Sequence, residues 1–258
     1  AGALAELLPE LAADLAAYRV EEREPLRATY RGAEVLATPP PSLGGAVVCA
    51  ALAELDADDT PASLPRAIAR AYGGRGASPQ PTGTTHVSVI DADGDAAGLS
   101  TTLGAGSGVF RHGFQLNNML GELDVIGVGP HTAGERLPSM MTPTLVLAGG
   151  RPRLVLGSAG SVRLAGAIVQ VARRVVSGEA VDAAIRAPRL HPVGNALHLE
   201  GGWPAAEAEA LAAEGWEVVR WAARNLFFGG VSAVERRPDG TLAAAGDPRR
   251  GGDGLVVP

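Results

Sequence analysis

The first third of the chain switches between helical and strand-like spacing of its apolar residues. Residues 4–19 repeat apolar positions every three or four residues, and this spacing predicts an amphipathic helix. Residues 26–37 predict two short strands that flank a turn at Arg31-Gly32. Apolar runs over residues 44–55 and 63–72 predict two further helices.

Strand patterns dominate the middle of the chain. Alternation over residues 84–90 and 96–103 predicts a hairpin, and residues 141–147 and 152–156 predict a second one. The remaining predicted elements are helices at residues 162–176, 181–186 and 205–214 and strands at residues 217–221, 230–236 and 241–245. Hairpins flanked by helices indicate a layered α/β fold.

Composition narrows the classes of protein. The chain has 258 residues, 46% of them hydrophobic, which is enough to bury a core as one or two domains. A formal net charge of −6 with only 4% aromatic residues disfavours nucleic-acid binding, since that needs basic patches with interleaved aromatics. No apolar run reaches the roughly 18 residues of a membrane-spanning helix, so no membrane partner is expected. The single cysteine, Cys49, lies in an apolar run that favours core packing over a reactive thiol.

The loop before the first predicted hairpin bears on function. Residues 73–83 are rich in Gly, Ser, Pro and Thr and predict an exposed loop, where chains are readily cut. If the Gly83–Thr84 bond is cut, Thr84 gains a free α-amine next to its own hydroxyl. An amine with a pKa of roughly 8 can take the hydroxyl proton, which is the N-terminal-threonine form of covalent catalysis. On this local pattern alone, an ordinary threonine at the start of a strand is the simpler interpretation.

A series of short motifs runs along nearly the whole chain. They are Pro39-Pro40-Pro41-Ser42, Thr84-Thr85-His86, Leu116-Asn117-Asn118-Met119, Pro138-Ser139-Met140-Met141-Thr142, Gly157-Ser158-Ala159-Gly160 and Asp247-Pro248-Arg249. In this order the set resembles the γ-glutamyltransferase (γ-glutamyltranspeptidase) family of N-terminal-nucleophile hydrolases. The resemblance implies a four-layer αββα sandwich, which periodicity alone does not show.

The resemblance also divides the chain into two regions. Residues 1–83 are similar to the C-terminal part of the family's large subunit, and residues 84–258 to its small, catalytic subunit. In the family a long preceding segment supplies an arginine for the substrate's α-carboxylate, so this chain is expected to lack its N-terminal part. The large-subunit segment of the same protein is the expected partner, and a homo-oligomer is compatible with the resemblance. For localisation, the cytoplasm is favoured over the periplasm or secretion.

Catalytic roles follow from the resemblance for two threonines and one turn. It implies self-cleavage at Gly83–Thr84, with Thr84 as the nucleophile and Thr102 as the hydrogen-bond partner of its hydroxyl. Gly160 and Ser161 stand where the family has two glycines whose N–H groups bind the oxyanion. Such a donor contributes roughly 3 kcal/mol to the transition state. Ser161 departs from the family's glycine but keeps its N–H.

The expected substrate pocket departs further from the family. The family has Gln or Glu after two asparagines, then a paired Asp-Asp, and these groups hold the substrate's α-amino group. Here Asn118 is followed by Met119, and Glu122 falls where the second aspartate belongs. Glu122 can still meet an ammonium, with Asp124 as the fallback and a solvated turn acid as the alternative.

A pair of neighbouring residues on the α-carboxylate side of the pocket is also altered. Ser139 keeps the first of two family serines that contact this carboxylate, while Met140 replaces the second. The favoured function is a self-processing amidohydrolase or acyltransferase in which Thr84 cleaves γ-glutamyl amides such as glutathione. The methionines motivate an alternative, an acylase that acts on a less polar acyl-amide substrate. A family-like fragment without activity is the non-enzymatic alternative.

Other chemistries are disfavoured by spacing. The glycine run at residues 104–108 lacks the G-x-G-x-x-G pattern. Ser158 has Leu156 where the first glycine of a G-x-S-x-G elbow belongs. Arg189 is expected to buttress the fold, and Asp247-Pro248-Arg249 to contain a loop-fixing ion pair. No metal or organic cofactor is expected. The histidines lack the spacing of zinc ligands and are expected to have structural or surface roles, although His86 could also serve as a base. The five histidines are His86, His112, His131, His191 and His198.

Overall fold

The computed structural model describes residues 2–73, 83–127 and 130–257. Its helices are α1 (Gly2–Leu7), α2 (Ala12–Ala17), α3 (Gly44–Ala57), α4 (Ser63–Tyr72), α5 (Leu123–Ile126), α6 (Leu164–Val176), α7 (Val181–Arg186) and α8 (Ala205–Ala213). Its strands are β1 (Leu26–Tyr30), β2 (Ala33–Ala37), β3 (Thr84–Ile90), β4 (Ala96–Thr102), β5 (Phe110–Arg111), β6 (Phe114–Gln115), β7 (Thr144–Ala148), β8 (Arg151–Ala159), β9 (Leu190–Val193), β10 (Ala196–Leu199), β11 (Glu217–Arg220), β12 (Gly230–Arg236) and β13 (Leu242–Ala245). The predicted hairpins and the helices α3, α4, α6, α7 and α8 are confirmed to within a few residues.

The helix predicted over residues 4–19 is wrong as a continuous element. α1 ends at Leu7, a 3₁₀ turn covers Pro9–Leu11, and α2 follows. The proline removes a helical hydrogen-bond donor, and its ring clashes with the preceding turn, so the helix is interrupted there. Of the loop predicted at residues 73–83, residues 74–82 lie outside the described part of the chain.

A six-stranded antiparallel sheet forms the centre of the molecule, in the order β1-β2-β7-β8-β12-β13. Strands β1 and β2 precede residue 83, whereas the other four follow it. The two regions on either side of the predicted cut therefore share one sheet and one hydrophobic core.

The two faces of this sheet carry different layers. Along β8, Leu154 and Leu156 point into the core beneath α3 and α6. The alternate residues Val155 and Gly157 face the β3–β4 hairpin, which packs on the opposite side. The described residues thus form helix, sheet and hairpin layers, and a mixed α/β fold with antiparallel sheets is confirmed. The fourth layer of an αββα sandwich stays a prediction.

The hairpin lies so close to the sheet that one position must be glycine. A Cβ on Gly157 would lie 2.3 Å from Nδ1 of His86. His86 is buried, and its ring nitrogens lie 2.8 Å from the Ser100 hydroxyl and 2.9 Å from the Ser88 hydroxyl. Packing of β3 against β8 therefore positions the start of β3, where Thr84 lies.

A buried ionic cluster ties the C-terminal loop to the smaller sheet β11-β10-β9. Arg189 contacts Asp247 at 2.6 Å, Arg249 contacts Asp247 at 3.1 Å, and a further ion pair joins Arg249 to Glu200. Burial opposes ionisation of Asp247, but the charges of Arg189 and Arg249 outweigh this effect and lower its pKa. The predicted ion pair of Asp247 and Arg249 is confirmed as part of a larger cluster.

Cys49 is partly buried within α3. Burial raises the pKa of the Cys49 thiol to about 11, so this side chain is protonated at neutral pH. None of the helices within residues 2–73, 83–127 and 130–257 combines the length and apolar character needed to cross a bilayer.

Candidate active site

Two threonine hydroxyls meet at the open end of the β3–β4 hairpin. Thr84 and Thr102 are directly paired in the strand register. The Thr84 hydroxyl donates a hydrogen bond of 3.0 Å to Oγ1 of Thr102, which also accepts the Gly104 N–H at 3.0 Å. This arrangement holds the Thr84 oxygen in one rotamer at the first position of its strand.

Gly83 continues the hairpin ladder by one residue. Its N–H donates to the Gly104 carbonyl, and its own carbonyl accepts the Leu103 N–H at 3.4 Å. The carbonyl carbon that a nucleophile at Thr84 would attack is therefore held beside that hydroxyl. The hydrogen bond from Leu103 polarises this carbonyl in the sense that attack requires.

A tight turn between β8 and α6 also contributes to the site. Gly160 has φ +138° and Ser161 has φ +55°, both in the region that favours glycine. A Cβ on Gly160 would lie 2.9 Å from Cα of Gly229, so close packing also requires glycine there. The Arg163 N–H closes the turn on the Gly160 carbonyl at 3.1 Å. We call residues Gly160 and Ser161 the oxyanion turn.

A narrow cleft with a cavity volume of about 10 Å³ lies between these elements. It contains most of the sequence-predicted site residues together with several apolar side chains that the sequence analysis did not assign to the site. Its lining consists of Thr84, Thr102, Met119, Glu122, Val125, Ser139, Met140, Met141, Ser161 and Leu164. Gly160 and Asn118 are sequence neighbours of this lining but not part of it.

The Pro-rich turn of the first region positions one wall of the cleft. Ser42 donates to the Met141 carbonyl at 2.8 Å, and the Ser139 carbonyl accepts the Leu43 N–H at 2.7 Å. The Ser139 hydroxyl itself accepts the Met141 N–H at 3.0 Å. Met140 is buried in the core, so its side chain contributes apolar surface at the base of the cleft.

A short 3₁₀ turn that starts after Asn118 also borders the cleft. Glu122 is half-buried at its end and lines the cleft. Oδ1 of Asn118 is buried and has no hydrogen-bond partner within the described part of the chain. A Cβ on Gly104 would lie 2.6 Å from that atom. Glycine at position 104 therefore lets this turn approach Thr102. The side chain of Asp124, the fallback for Glu122, lies outside the described part of the structure.

His86 does not contact the Thr84 hydroxyl, because both of its ring nitrogens bind serine hydroxyls of the hairpin. Burial lowers its pKa to about 4, so the ring is neutral near pH 7. Its role in the structure is to support β3. No group of three or more His, Cys, Asp or Glu residues in the described ranges is arranged to hold a metal ion.

A second cleft opens along the other side of β3. It has a cavity volume of about 280 Å³, and Thr84 lines both clefts. Its other lining residues include Thr85, Ser232 and Arg250, so it is more polar than the first. Thr84 thus stands at the junction of a small, methionine-rich cleft and a larger polar one.

Comparison with known proteins identifies the family of this chain. The model of the γ-glutamyltranspeptidase family matches residues 11–66 and 54–257. The chain is 29% identical to an acylase ACY 1 proenzyme of Pseudomonas sp. (strain SE83), over 95% of this chain and 54% of that protein. It is 28% identical to a glutathione hydrolase proenzyme of Escherichia coli (strain K12), over 92% of this chain and 53% of that protein. The chain spans about half the length of these curated relatives.

A solved structure shares the fold. The crystal structure of cephalosporin acylase from Bacillus halodurans superposes with a TM-score of 0.80 at 22% identity. The match covers 94% of this chain and 55% of that one.

Proposed function

Because the chain belongs to the γ-glutamyltranspeptidase family, we propose that it is the nucleophile-bearing part of a self-processing amidohydrolase or acyltransferase. The observation that carries this proposal is the shared cleft of Thr84, Thr102 and Ser161 at the start of β3. The acylase and glutathione hydrolase relatives are proenzymes, which supports processing of this chain as well.

Self-cleavage begins at the Gly83 carbonyl. The Thr84 hydroxyl attacks this carbon, its proton passes to the departing nitrogen, and the C–N bond breaks. An ester then links Gly83 to Oγ1 of Thr84, and the α-amine is released. Water then hydrolyses the ester, which leaves a carboxylate on Gly83 and restores the hydroxyl. The Leu103 N–H, 3.4 Å from the Gly83 carbonyl oxygen, supports the charge that develops in the first step.

Turnover uses the same hydroxyl after cleavage. The freed α-amine of Thr84 takes the hydroxyl proton as the oxygen attacks the amide carbon of a substrate. The backbone N–H groups of Gly160 and Ser161 stabilise the oxyanion, the amine leaves with the proton, and water or another amine accepts the acyl group. No step requires a metal ion or an organic cofactor.

The first candidate substrate class is γ-glutamyl amides such as glutathione. Glu122 lines the cleft and supplies a carboxylate for the α-ammonium group. Ser139 also lines the cleft and supplies a hydroxyl for the α-carboxylate. Asn118 adds an amide oxygen, held next to the cleft by the same 3₁₀ turn.

The apolar lining of the cleft favours a second candidate, an acylase for less polar acyl groups. Met119, Met140 and Met141 line it, and Val125 and Leu164 extend the same surface. Burial of such side chains against an acyl chain stabilises binding by about 25 cal/mol for each Å² of apolar surface. The similarity to an acylase proenzyme agrees with this alternative.

The test of the proposed function is replacement of the nucleophile in the complete protein that carries this chain. Thr84→Ala should abolish both self-cleavage and turnover, whereas Thr84→Ser, which keeps a hydroxyl, should retain both at a reduced rate. Intact mass reports the cleavage, and release of a chromogenic amine reports turnover. An alanine variant that still separates into two fragments before residue 84 would refute the proposal, and an uncut, inert wild type would favour the inactive-fragment alternative.

A substrate panel separates the two candidates. γ-Glutamyl anilide is compared with anilides of apolar acyl groups of similar length, on the same preparation. Preference for γ-glutamyl that is reduced in Glu122→Gln supports the first candidate. Hydrolysis of apolar acyl anilides alone, with no effect of Glu122→Gln, supports the acylase.

The outer face of the β3–β4 hairpin is apolar. This supports the proposal that the large-subunit segment of the same protein covers this face. Val87 is 52% exposed, Val89 51% and Leu99 66%, and these side chains form an apolar strip on β3 and β4. Contiguous apolar surface of this kind marks a site that another segment covers. Hydrogen exchange of residues 84–102 in the complete protein should therefore be slower than in the chain alone.

A further inference from the structure

A tyrosine hydroxyl is inserted into the backbone directly after the oxyanion turn. Tyr72, the last residue of α4, donates to the Val162 carbonyl at 2.6 Å and accepts the Gly166 N–H at 3.0 Å. The side chain is 4% exposed, and its ring packs edge-on against His191 at 5.6 Å. Burial raises the pKa of the phenol far above its usual value, so the hydroxyl stays protonated and donates at every working pH.

The two backbone groups that Tyr72 contacts are four residues apart. In an uninterrupted α-helix, the Val162 carbonyl would accept the Gly166 N–H directly. Here residues Ser161–Arg163 form a 3₁₀ turn, and α6 begins only at Leu164. The Tyr72 hydroxyl hydrogen-bonds both the Val162 carbonyl and the Gly166 N–H. The backbone can therefore keep the tight turn while both groups remain hydrogen-bonded.

This contact lies next to strained backbone. Ser161, one residue before Val162, has φ +55°, a backbone conformation that is unfavourable for a residue with a side chain. A conformation of that kind persists only where its surroundings over-determine it. The hydrogen bonds of the Tyr72 hydroxyl supply such a constraint on the C-terminal side of the turn.

We propose that Tyr72 is a positioning residue that holds the Gly160 and Ser161 N–H groups in the geometry that stabilises the oxyanion. This inference rests on the proposed function. Tyr72 does not touch substrate; it acts through the backbone between Val162 and Gly166. It precedes residue 83, so after cleavage the contact joins the upstream fragment to the catalytic one. The upstream fragment thus sets the turn on which the chemistry of the downstream fragment depends.

Tyr72→Phe in the complete protein tests this role, with Tyr30→Phe as the matched control. Tyr30 is 0% exposed and its hydroxyl donates to Asp59 at 2.5 Å, but it does not line the cleft. Both variants keep the ring and remove one buried hydroxyl. Melting temperature should fall by a similar amount in both, whereas kcat should fall by about 10-fold to 100-fold only in Tyr72→Phe, with KM within about twofold of the wild type.

Equal kcat values for the two variants would overturn the positioning role while leaving the proposed function intact. Failure of the proposed function has a different signature, because then the wild type shows no turnover that depends on Thr84. A second measurement needs no variant at all. The Gly166 amide lies in the first turn of α6, where amides lack an intrahelical partner and exchange fast; we expect it to be protected, and exchange as fast as a free helix end would also overturn the inference.

Discussion

The Thr84 hydroxyl lies 3.0 Å from the Thr102 hydroxyl, across the end of one hairpin. The same Thr102 oxygen accepts the Gly104 N–H. A nucleophile candidate is thereby oriented by a second threonine that is itself fixed by the backbone. The register of β3 and β4, in which these residues are direct partners, creates the contact.

Thr102→Val should lower kcat about 10-fold and leave KM nearly unchanged. Valine keeps the shape of the side chain but removes the acceptor for Thr84 and for the Gly104 N–H, and a lost hydrogen bond of this kind costs about 1 kcal/mol or more. Thr102→Ser keeps the hydroxyl and is the control. Steady-state kinetics on the self-cleaved protein distinguish them; a valine variant as active as the serine variant would contradict the assigned contact.

Ser161 should tolerate glycine better than any β-branched residue. Its φ of +55° suits glycine, so Ser161→Gly should retain turnover and change the free energy of unfolding by no more than about 1 kcal/mol. Ser161→Val should lower both stability and kcat, because valine in this region is a steric outlier. Urea unfolding and kinetics on the two variants check this, and a fully active valine variant would show that the turn is not rigid.

Turn and helix-capping residues explain why much of the fold is predictable from the sequence. β1 and β2 follow from alternation around Arg31-Gly32, and α4 ends at Tyr72 because Gly73 caps it in the left-handed region. The missed strands β9 and β10 are short, and β9 contains Pro192, which argues against a strand on its own. Tertiary pairing overrides that local signal.

The candidate site is assembled by contacts that no local pattern encodes. Ser42 reaches the Met141 carbonyl across 99 residues of sequence, and Tyr72 reaches Val162 across 90. The family resemblance points to Thr84, Thr102 and Ser161, whereas nothing in the sequence analysis assigns Val125 or Leu164 to the site. Apolar side chains that line a cleft have the same sequence pattern as those that fill a core, so only the structure separates the two.

Glu200 was also missed, since a single acid in a sequence gives no sign of burial. Its carboxylate binds Nε of Arg249 at 2.8 Å and the backbone N–H of Asn225 at 2.8 Å, and the Glu200–Arg249 pair is fully buried. Glu200→Gln should lower the free energy of unfolding by about 3 kcal/mol, because removing one partner leaves a buried charge uncompensated.

The control for that prediction is an exposed ion pair on the same protein. Glu214 contacts Arg66 at 2.8 Å, and both side chains are substantially exposed. Glu214→Gln should change stability by less than about 1 kcal/mol. Chemical denaturation of both variants measures the difference; equal, small effects would show that the buried cluster adds little to stability.

His86 makes the stability of the fold depend on pH. Burial lowers its pKa from 6.5 to about 4, so between these values the unfolded chain binds a proton that the folded chain does not. Stability therefore rises with pH in this window: the contribution of the neutral ring is complete above pH 6.5 and is lost as the pH falls towards 4. At about 1.4 kcal/mol for each pKa unit, the loss amounts to about 3 kcal/mol.

His86→Gln removes this titrating group while keeping a polar side chain between Ser88 and Ser100. The variant should be less stable than the wild type at pH 7, but its stability should fall less steeply between pH 6.5 and 4. Some pH dependence remains, because burial also lowers the pKa of His191, to about 3. Urea unfolding at several pH values gives both slopes. Parallel slopes would mean that the His86 ring accepts a proton in the folded state as readily as in the unfolded one, which its bonds to two serine hydroxyls and its packing on Gly157 oppose.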